Sequence, residues 1–106
     1  MPKTILHLTL TGHWYDKIAS GEKTREYREC KPYWNKRFTG SEQILDTADM
    51  APYRKPVDCK YTHVIFHRGY TATTMEFEIK GLNRIRFMPN DLNSNLCWEL
   101  ELGKRQ

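Results

Sequence analysis

The segment Lys23–Glu29 places a lysine, a glutamate and an arginine at spacings that allow all three to meet one ligand. In an extended strand, alternate side chains share a face, so Glu26 and Arg28 point the same way, about 6.5–7 Å apart along the backbone. Lys23 approaches from the turn just before the strand. Two cations and one carboxylate in a small volume can bind a phosphate, pair with the edge of a base or polarise a carbonyl.

Neither face of this predicted strand is apolar. One face carries Thr24, Glu26 and Arg28, and the other carries Arg25, Tyr27 and neighbouring charges. A departure from binary patterning is typical of a functional site. The structural alternative is an edge strand with a solvated ladder of ion pairs, which discourages aggregation. The pattern alone leaves both interpretations open.

Positive charge and aromatic rings are concentrated in the same part of the chain. The net charge is +4, and all of this excess lies in residues 1–40, because residues 41–106 hold nine basic and nine acidic residues. Interleaved aromatic and basic side chains are typical of single-stranded nucleic-acid binding, where rings stack on bases and cations contact phosphates. We expect Tyr27 and Tyr33 to be surface contacts, and Trp14, Trp34 and Phe38 to belong to the core.

The elements that must position these residues can be predicted from periodicity. Alternating leucines predict a strand over residues 4–11, and Thr11 is the expected cap of a helix over residues 12–20 that ends at Gly21. After the extended segment at residues 23–29, Pro32 suits the first turn of a second helix, and Gly40 ends it.

The rest of the chain predicts strands after a long connection. We expect residues 39–60 to be an irregular loop, with one helical turn near residues 44–49. Strand signals follow at residues 61–67, at residues 74–80 with a bulge or bend at Gly81 before a continuation through Ile85 and Phe87, and at residues 96–102. Five or six short strands with two helices predict an α+β domain in which a curled sheet or small barrel packs against helices.

Composition limits the class of protein. A chain of 106 residues with this apolar content predicts a single domain spanning residues 1–106. We expect no membrane segment or signal peptide, a cytoplasmic location and a monomer. Three widely spaced cysteines predict thiols rather than a disulfide framework, and the histidines lack metal-ligand spacing, so we expect neither a metal nor another cofactor.

At this point the sequence resembles the ASCH domain family of the PUA-like superfamily. The segment Ile18–Arg28 contains the family's signature, a helix end with glycine followed by Lys-x-x-Glu-x-Arg. Flanking segments resemble a short single-domain subgroup of bacteria and phages. These segments are Leu6–Leu10, Lys31–Trp34, Thr74–Gly81 and Leu100–Lys104.

The resemblance implies a small PUA-like β-barrel of about five or six mostly antiparallel strands with two short helices packed against it. It also implies RNA or nucleotide binding in a cleft beside the signature strand. The ligand-binding residues would come from the signature, from the aromatic residues near it and from the turn His67–Tyr70. They are Lys23, Glu26, Arg28, Tyr27, Tyr33, Arg68 and Tyr70, with His67 nearby.

Two other functions are open at this stage. Some small ASCH proteins are amidohydrolases that act on acylated cytidine, and ribonuclease activity has been attributed to others. In a hydrolase, Lys23 and Glu26 would be the catalytic pair, although Glu26 stands where the amidohydrolase pattern has a threonine nucleophile. The remaining alternative is a small regulatory protein that binds another protein.

Overall fold

The structure is a computed structural model that describes residues 2–43 and 53–106. It contains six strands and two helices, which confirms the α+β class. In chain order, the elements are β1 (Ile5–Leu10), α1 (Gly12–Ala19), β2 (Arg25–Glu29), α2 (Pro32–Thr39), β3 (Arg54–Val57), β4 (His63–Arg68), β5 (Thr74–Arg86) and β6 (Leu96–Arg105).

Hydrogen bonds join the strands into one six-stranded sheet in the order β1-β4-β5-β6-β2, and β3 pairs with β5 outside this path. β1 runs parallel to β4, whereas β3 and β4 each run antiparallel to β5. Among the described residues, neither helix has the length and apolar content needed to cross a bilayer.

The chain divides into two compact units. The first unit comprises Met1–Arg25, Tyr61–Lys80 and Glu101–Gln106, and the second comprises Glu26–Lys60 and Gly81–Leu100. Whether the chain acts as the single domain predicted from its length stays a prediction.

Strand register builds the core of the first unit. Leu6 lies opposite Val64 on β4, and Val64 lies opposite Phe77 on β5, so one row of apolar side chains crosses three strands. A second row contains Leu8, Phe66 and Met75 in the same way. Helix α1 contributes the buried side chains Tyr15 and Ile18, which are three residues apart on one face. Alternation in β1, β4 and β5 is therefore sufficient to explain this core.

The second unit has a smaller apolar core and more buried polar groups. Its buried apolar residues come from α2, β5 and β6, and are Phe38, Leu82, Ile85, Cys97, Trp98 and Leu100. Glu26, Asn35, Asn83, Arg84 and Glu99 are buried in this unit as well.

Several sequence predictions need correction. Residues 54–57 form β3 instead of irregular loop, because their backbone pairs with β5 in the register Val57↔Leu82 to Arg54↔Ile85. Thr11 occupies the position before α1, but its side chain makes no capping hydrogen bond. By contrast, the predicted continuation beyond Gly81 through Ile85 is confirmed, because β5 runs as one strand to Arg86, although Phe87 lies outside it. The helical turn expected near residues 44–49 lies outside the described residues.

Candidate functional site

Strand β2 brings Glu26 and Arg28 together. Glu26 is 4% exposed, and its Oε2 lies 3.0 Å from Nη2 of Arg28. The other oxygen of Glu26 accepts a hydrogen bond from the backbone N–H of Tyr27 at 3.0 Å. The predicted common face of Glu26 and Arg28 is therefore present, and the buried carboxylate fixes the direction of the guanidinium.

Helix α2 presents an aromatic ring to two guanidinium groups. The Arg28 guanidinium lies 5.0 Å from the centroid of the Trp34 ring, and that of Arg37 lies 5.4 Å from it. Tyr33 packs edge-on against Trp34 with ring centroids 4.8 Å apart, and it is 62% exposed. We call Glu26, Arg28, Tyr33, Trp34 and Arg37 the stacking surface.

The inner side of α2 is held by the core of the second unit. Trp34 stacks on Phe38 with a centroid distance of 6.0 Å, and Phe38 contacts Trp98 at 5.3 Å. Nε1 of Trp98 donates to Oδ1 of Asn35 at 3.0 Å, and the same oxygen accepts from Sγ of Cys30 at 3.3 Å. These contacts hold the helix in one rotation, so the stacking surface rests on a rigid support.

Lys23 belongs to the first unit. Its Nζ lies 4.4 Å from the centroid of the Trp14 ring, which is a cation–π contact. Its backbone N–H donates to the carbonyl of Lys17 at 3.1 Å, which ties the turn after α1 to the helix. The structure thus gives Lys23 an aromatic partner that the sequence did not predict.

The predicted turn residues Arg68 and Tyr70 also lie in the first unit. Nε and Nη2 of Arg68 donate to the two carboxylate oxygens of Asp16 at 3.2 and 3.1 Å. Hydrogen bonding by Arg68 lowers the pKa of Asp16. A Cβ on Gly12 would lie 2.6 Å from Nη2 of Arg68, so the absence of a side chain there admits the guanidinium. Tyr70 is fully exposed.

The structure therefore joins some of the predicted site residues directly. Glu26 and Arg28 form an ion pair, and Tyr33 is an exposed neighbour of Trp34 on the next element of the same unit. Tyr27 is half-buried. The convergence of Lys23 with Glu26 and Arg28 on one ligand stays a prediction, as do the roles of Arg68 and Tyr70.

Sequence reasoning missed three features of the site. Trp14 and Trp34 were expected in the core, but both are half-buried and contact cations, whereas Phe38 is buried as predicted. The signal for Trp34 was available, because Arg37 follows it by three residues and so lies on the same face of a helix. The contact from Arg28 depends on tertiary structure and left no such signal.

A buried carboxylate network in the second unit was also missed. Oε1 and Oε2 of Glu99 accept hydrogen bonds from Nε and Nη2 of Arg54 at 2.8 and 3.0 Å, and Asn83 donates to Oε1 at 3.0 Å. Glu99 occupied the polar position of an alternating strand in the sequence, yet it is 1% exposed. Alternation placed Glu99 on the solvated face of its strand, because its partner Arg54 comes from a strand that was not predicted.

Nearby, the buried Arg84 guanidinium lies beside Cys30. Burial lowers the pKa of Arg84 and raises that of Cys30, and the proximity of the two groups partly opposes both shifts. Over residues 2–43 and 53–106, no group of three or more His, Cys, Asp or Glu side chains could hold a metal ion.

Comparison with known proteins gives no match of significance to a protein-family model, a curated protein or a solved structure. The function must therefore be argued from the residues of this chain.

Proposed function

We propose that this protein binds RNA or a nucleotide at the stacking surface. The observation that carries the proposal is the pair of guanidinium groups, from Arg28 and Arg37, over the Trp34 ring beside the exposed Tyr33. Aromatic rings that neighbour fixed cations are the elements with which proteins hold unpaired bases and their phosphates.

The electrostatics of the surface favour an anionic ligand. Glu26 neutralises part of the charge of Arg28, and the half-buried Arg37 adds a second cation near the exposed Tyr33 ring. Lys36 is exposed on the same helix. The exposed Tyr33 ring is oriented by its contacts with Trp34 and Arg37. It therefore loses little conformational entropy when a base stacks on it, which raises affinity.

Membership of the ASCH family is part of the same proposal. It is supported by the signature in the segment Ile18–Arg28 and by the ion pair between the signature residues Glu26 and Arg28. In this proposal Lys23 contributes a further cation to the ligand. The groups of the hydrolase alternative are both engaged, Lys23 by Trp14 and Glu26 by Arg28, so we place binding first.

The test is fluorescence anisotropy with a labelled single-stranded RNA of about 12 nucleotides, at about 50 and 200 mM salt. We expect Tyr33→Ala to weaken binding at least about fivefold through lost stacking. We expect Arg37→Gln to weaken binding and to lower the slope of log affinity against log salt by about one. Lys23→Ala measures separately whether the lysine contacts the ligand.

Two matched variants serve as controls. Tyr33→Phe keeps the ring and should bind as the wild type does, and Lys104→Gln removes an exposed charge from the last strand and should leave the affinity unchanged. If the affinity changes neither with salt nor with the Tyr33 and Arg37 substitutions, the stacking surface is not the binding site. If the protein binds a free nucleoside but no RNA, the proposed site stands and its ligand is the nucleoside.

A further inference from the structure

Another exposed aromatic residue lies at the end of β5, outside the stacking surface. Phe87 follows the last strand residue, Arg86, and is 60% exposed. Its backbone has a φ of 54°, in the left-handed region. A bulky side chain is a genuine outlier there, and such residues persist where the surrounding structure imposes the conformation.

Backbone hydrogen bonds impose this conformation. The N–H of Phe87 donates to the carbonyl of Asn95 at 2.9 Å, and the N–H of Arg86 donates to the carbonyl of Tyr53 at 2.7 Å. The backbone is thus held at Arg86 and at Phe87 itself. The result is a phenyl ring that is kept in solvent although burial would favour the core.

The side chains around Phe87 repeat the chemistry of the stacking surface. The Arg86 guanidinium lies 5.3 Å from the centroid of the Phe87 ring. Tyr53 is opposite Arg86, next to the paired residues Arg54 and Ile85, and it is 58% exposed. The Arg86 cation therefore contacts the exposed Phe87 ring, and the exposed Tyr53 is paired with Arg86 through the backbone.

A cavity of about 400 Å³ adjoins this group. Phe87 and Met88 form part of its apolar lining, and Asn93 and Asn95 provide exposed amide groups. This volume lies within the range of small-molecule sites. The cavity is open to solvent, and Asn90, Asn93, Ser94 and Asn95 make much of its lining polar, which suits the polar edge of a base.

Asn90 organises the loop that surrounds the cavity. Its Nδ2 donates to the carbonyls of Met88 and Ser94 at 2.9 and 2.8 Å. Its Oδ1 accepts from the N–H groups of Leu92 and Ser94 at 2.9 and 3.2 Å. The half-buried amide of Asn90 thus closes the loop by hydrogen bonds, so the cavity exists before a ligand binds.

We propose that this cavity is a subsite for one base of single-stranded RNA. The base stacks on Phe87, the adjoining phosphate contacts Arg86, and the amides of Asn93 and Asn95 hydrogen-bond the edge of the base. The subsite deepens the proposed function and rests on it, because it adds a second base contact to the same bound strand.

The test uses a single-stranded RNA of about eight nucleotides that contains 2-aminopurine, whose fluorescence changes when the base stacks. Phe87→Gly is the informative variant, because glycine adopts a φ of 54° without strain and the fold should be retained. We expect it to weaken binding at least about fivefold and to abolish the fluorescence change. Phe87→Trp keeps an aromatic ring and should retain both the affinity and the fluorescence change. Arg86→Gln should weaken binding and lower its salt dependence.

Leu92→Ala is the matched control, since Leu92 is an exposed apolar residue of the same loop that does not line the cavity. Thermal unfolding of each variant verifies the fold. If RNA binds with the expected dependence on Tyr33 but Phe87→Gly behaves as the wild type, the subsite is wrong and the proposed function stands. If the wild type binds no RNA, the subsite is wrong, and if it binds no free nucleoside either, both proposals fail.

Discussion

Among the described residues of the second unit, two carboxylates are buried, and each is paired with an arginine. Glu26 is paired with Arg28 two residues along its own strand, and Glu99 is paired with Arg54 from a different strand. Alternation predicted the Glu26 pair, because residues two apart in a strand share a face. The pairing of Glu99 depends on a contact across 45 positions of sequence, for which the residues around Glu99 contain no signal.

At the residue scale, we predict that Arg54→Ala lowers the free energy of unfolding by about 2–4 kcal/mol. The substitution leaves the carboxylate of Glu99 buried with Asn83 as its remaining partner in this network. The cost falls somewhat below that of a fully buried pair, because the Arg54 side chain is 36% exposed. Urea unfolding of the wild type and the variant measures the difference.

Lys55→Ala is the control for Arg54→Ala, because Lys55 is the exposed basic neighbour on the same strand and its loss should cost less than about 0.5 kcal/mol. The double variant Arg54→Met with Glu99→Met should recover much of the lost stability, since it removes the buried charge together with its partner. Equal effects of Arg54→Ala and Lys55→Ala would show that the ion pair does not stabilise the fold.

At the element scale, α2 was predicted with accurate bounds. Pro32 is the first helical residue, and Gly40 follows the last one with a φ of 86°. Such a residue needs no tertiary contact to end a helix, because the left-handed conformation is accessible to glycine at little cost. By contrast, β3 was missed because Pro56 cannot donate a backbone hydrogen bond and Arg54 and Lys55 break the alternation.

We predict that Gly40→Ala destabilises the protein by about 1 kcal/mol. A Cβ at this position meets no atom within 4 Å, so the cost arises from the backbone conformation alone. Gly40→Asn should cost less, since asparagine tolerates the left-handed region. Chemical unfolding gives both values, and RNA affinity measured well below the transition should be unaffected. If Gly40→Ala leaves the free energy of unfolding unchanged, the helix does not end in this left-handed conformation in solution.

At the scale of the whole molecule, the described ionisable groups predict stability limits at both ends of the pH range. In the first unit, hydrogen bonds from basic side chains lower the pKa of Asp16, Glu22 and Glu76. The stabilisation from these pairs is present above their ordinary values of 3.8 to 4.5 and is lost as the pH falls through the lowered values. Asp16 and Glu22 are exposed and Glu76 is partly exposed, so each pair contributes little.

The alkaline limit is set in part by Cys97 in the second unit. Burial raises the pKa of Cys97 to about 11 from an ordinary 9.0, with further contributions from Glu99 and Cys30. Above pH 9 the unfolded chain therefore loses the thiol proton while the folded chain keeps it. The stabilisation is complete below pH 9 and is lost as the pH rises towards 11.

We predict that the stability difference between the wild type and Cys97→Ala narrows between pH 8 and about pH 11, as linkage requires. The cavity left by the substitution costs the same at every pH, so the change in the difference isolates the thiol. Urea unfolding across this range measures it. A difference that stays constant with pH would contradict the raised pKa.

The sequence by itself determined the local structure of this protein. The bounds of α1 and α2, the alternating core of β1, β4 and β5, and the common face of Glu26 and Arg28 follow from periods of 3.6 and 2 and from proline and glycine positions. Tertiary structure alone decided the polar and aromatic contacts that periodicity does not predict. Helix packing brings Trp34 to Arg28, and strand pairing brings Arg54 to Glu99. The contact between Arg86 and Phe87 follows from the backbone conformation that strand pairing imposes on Phe87. Local propensity cannot encode these contacts, because their energy appears only when the segments meet.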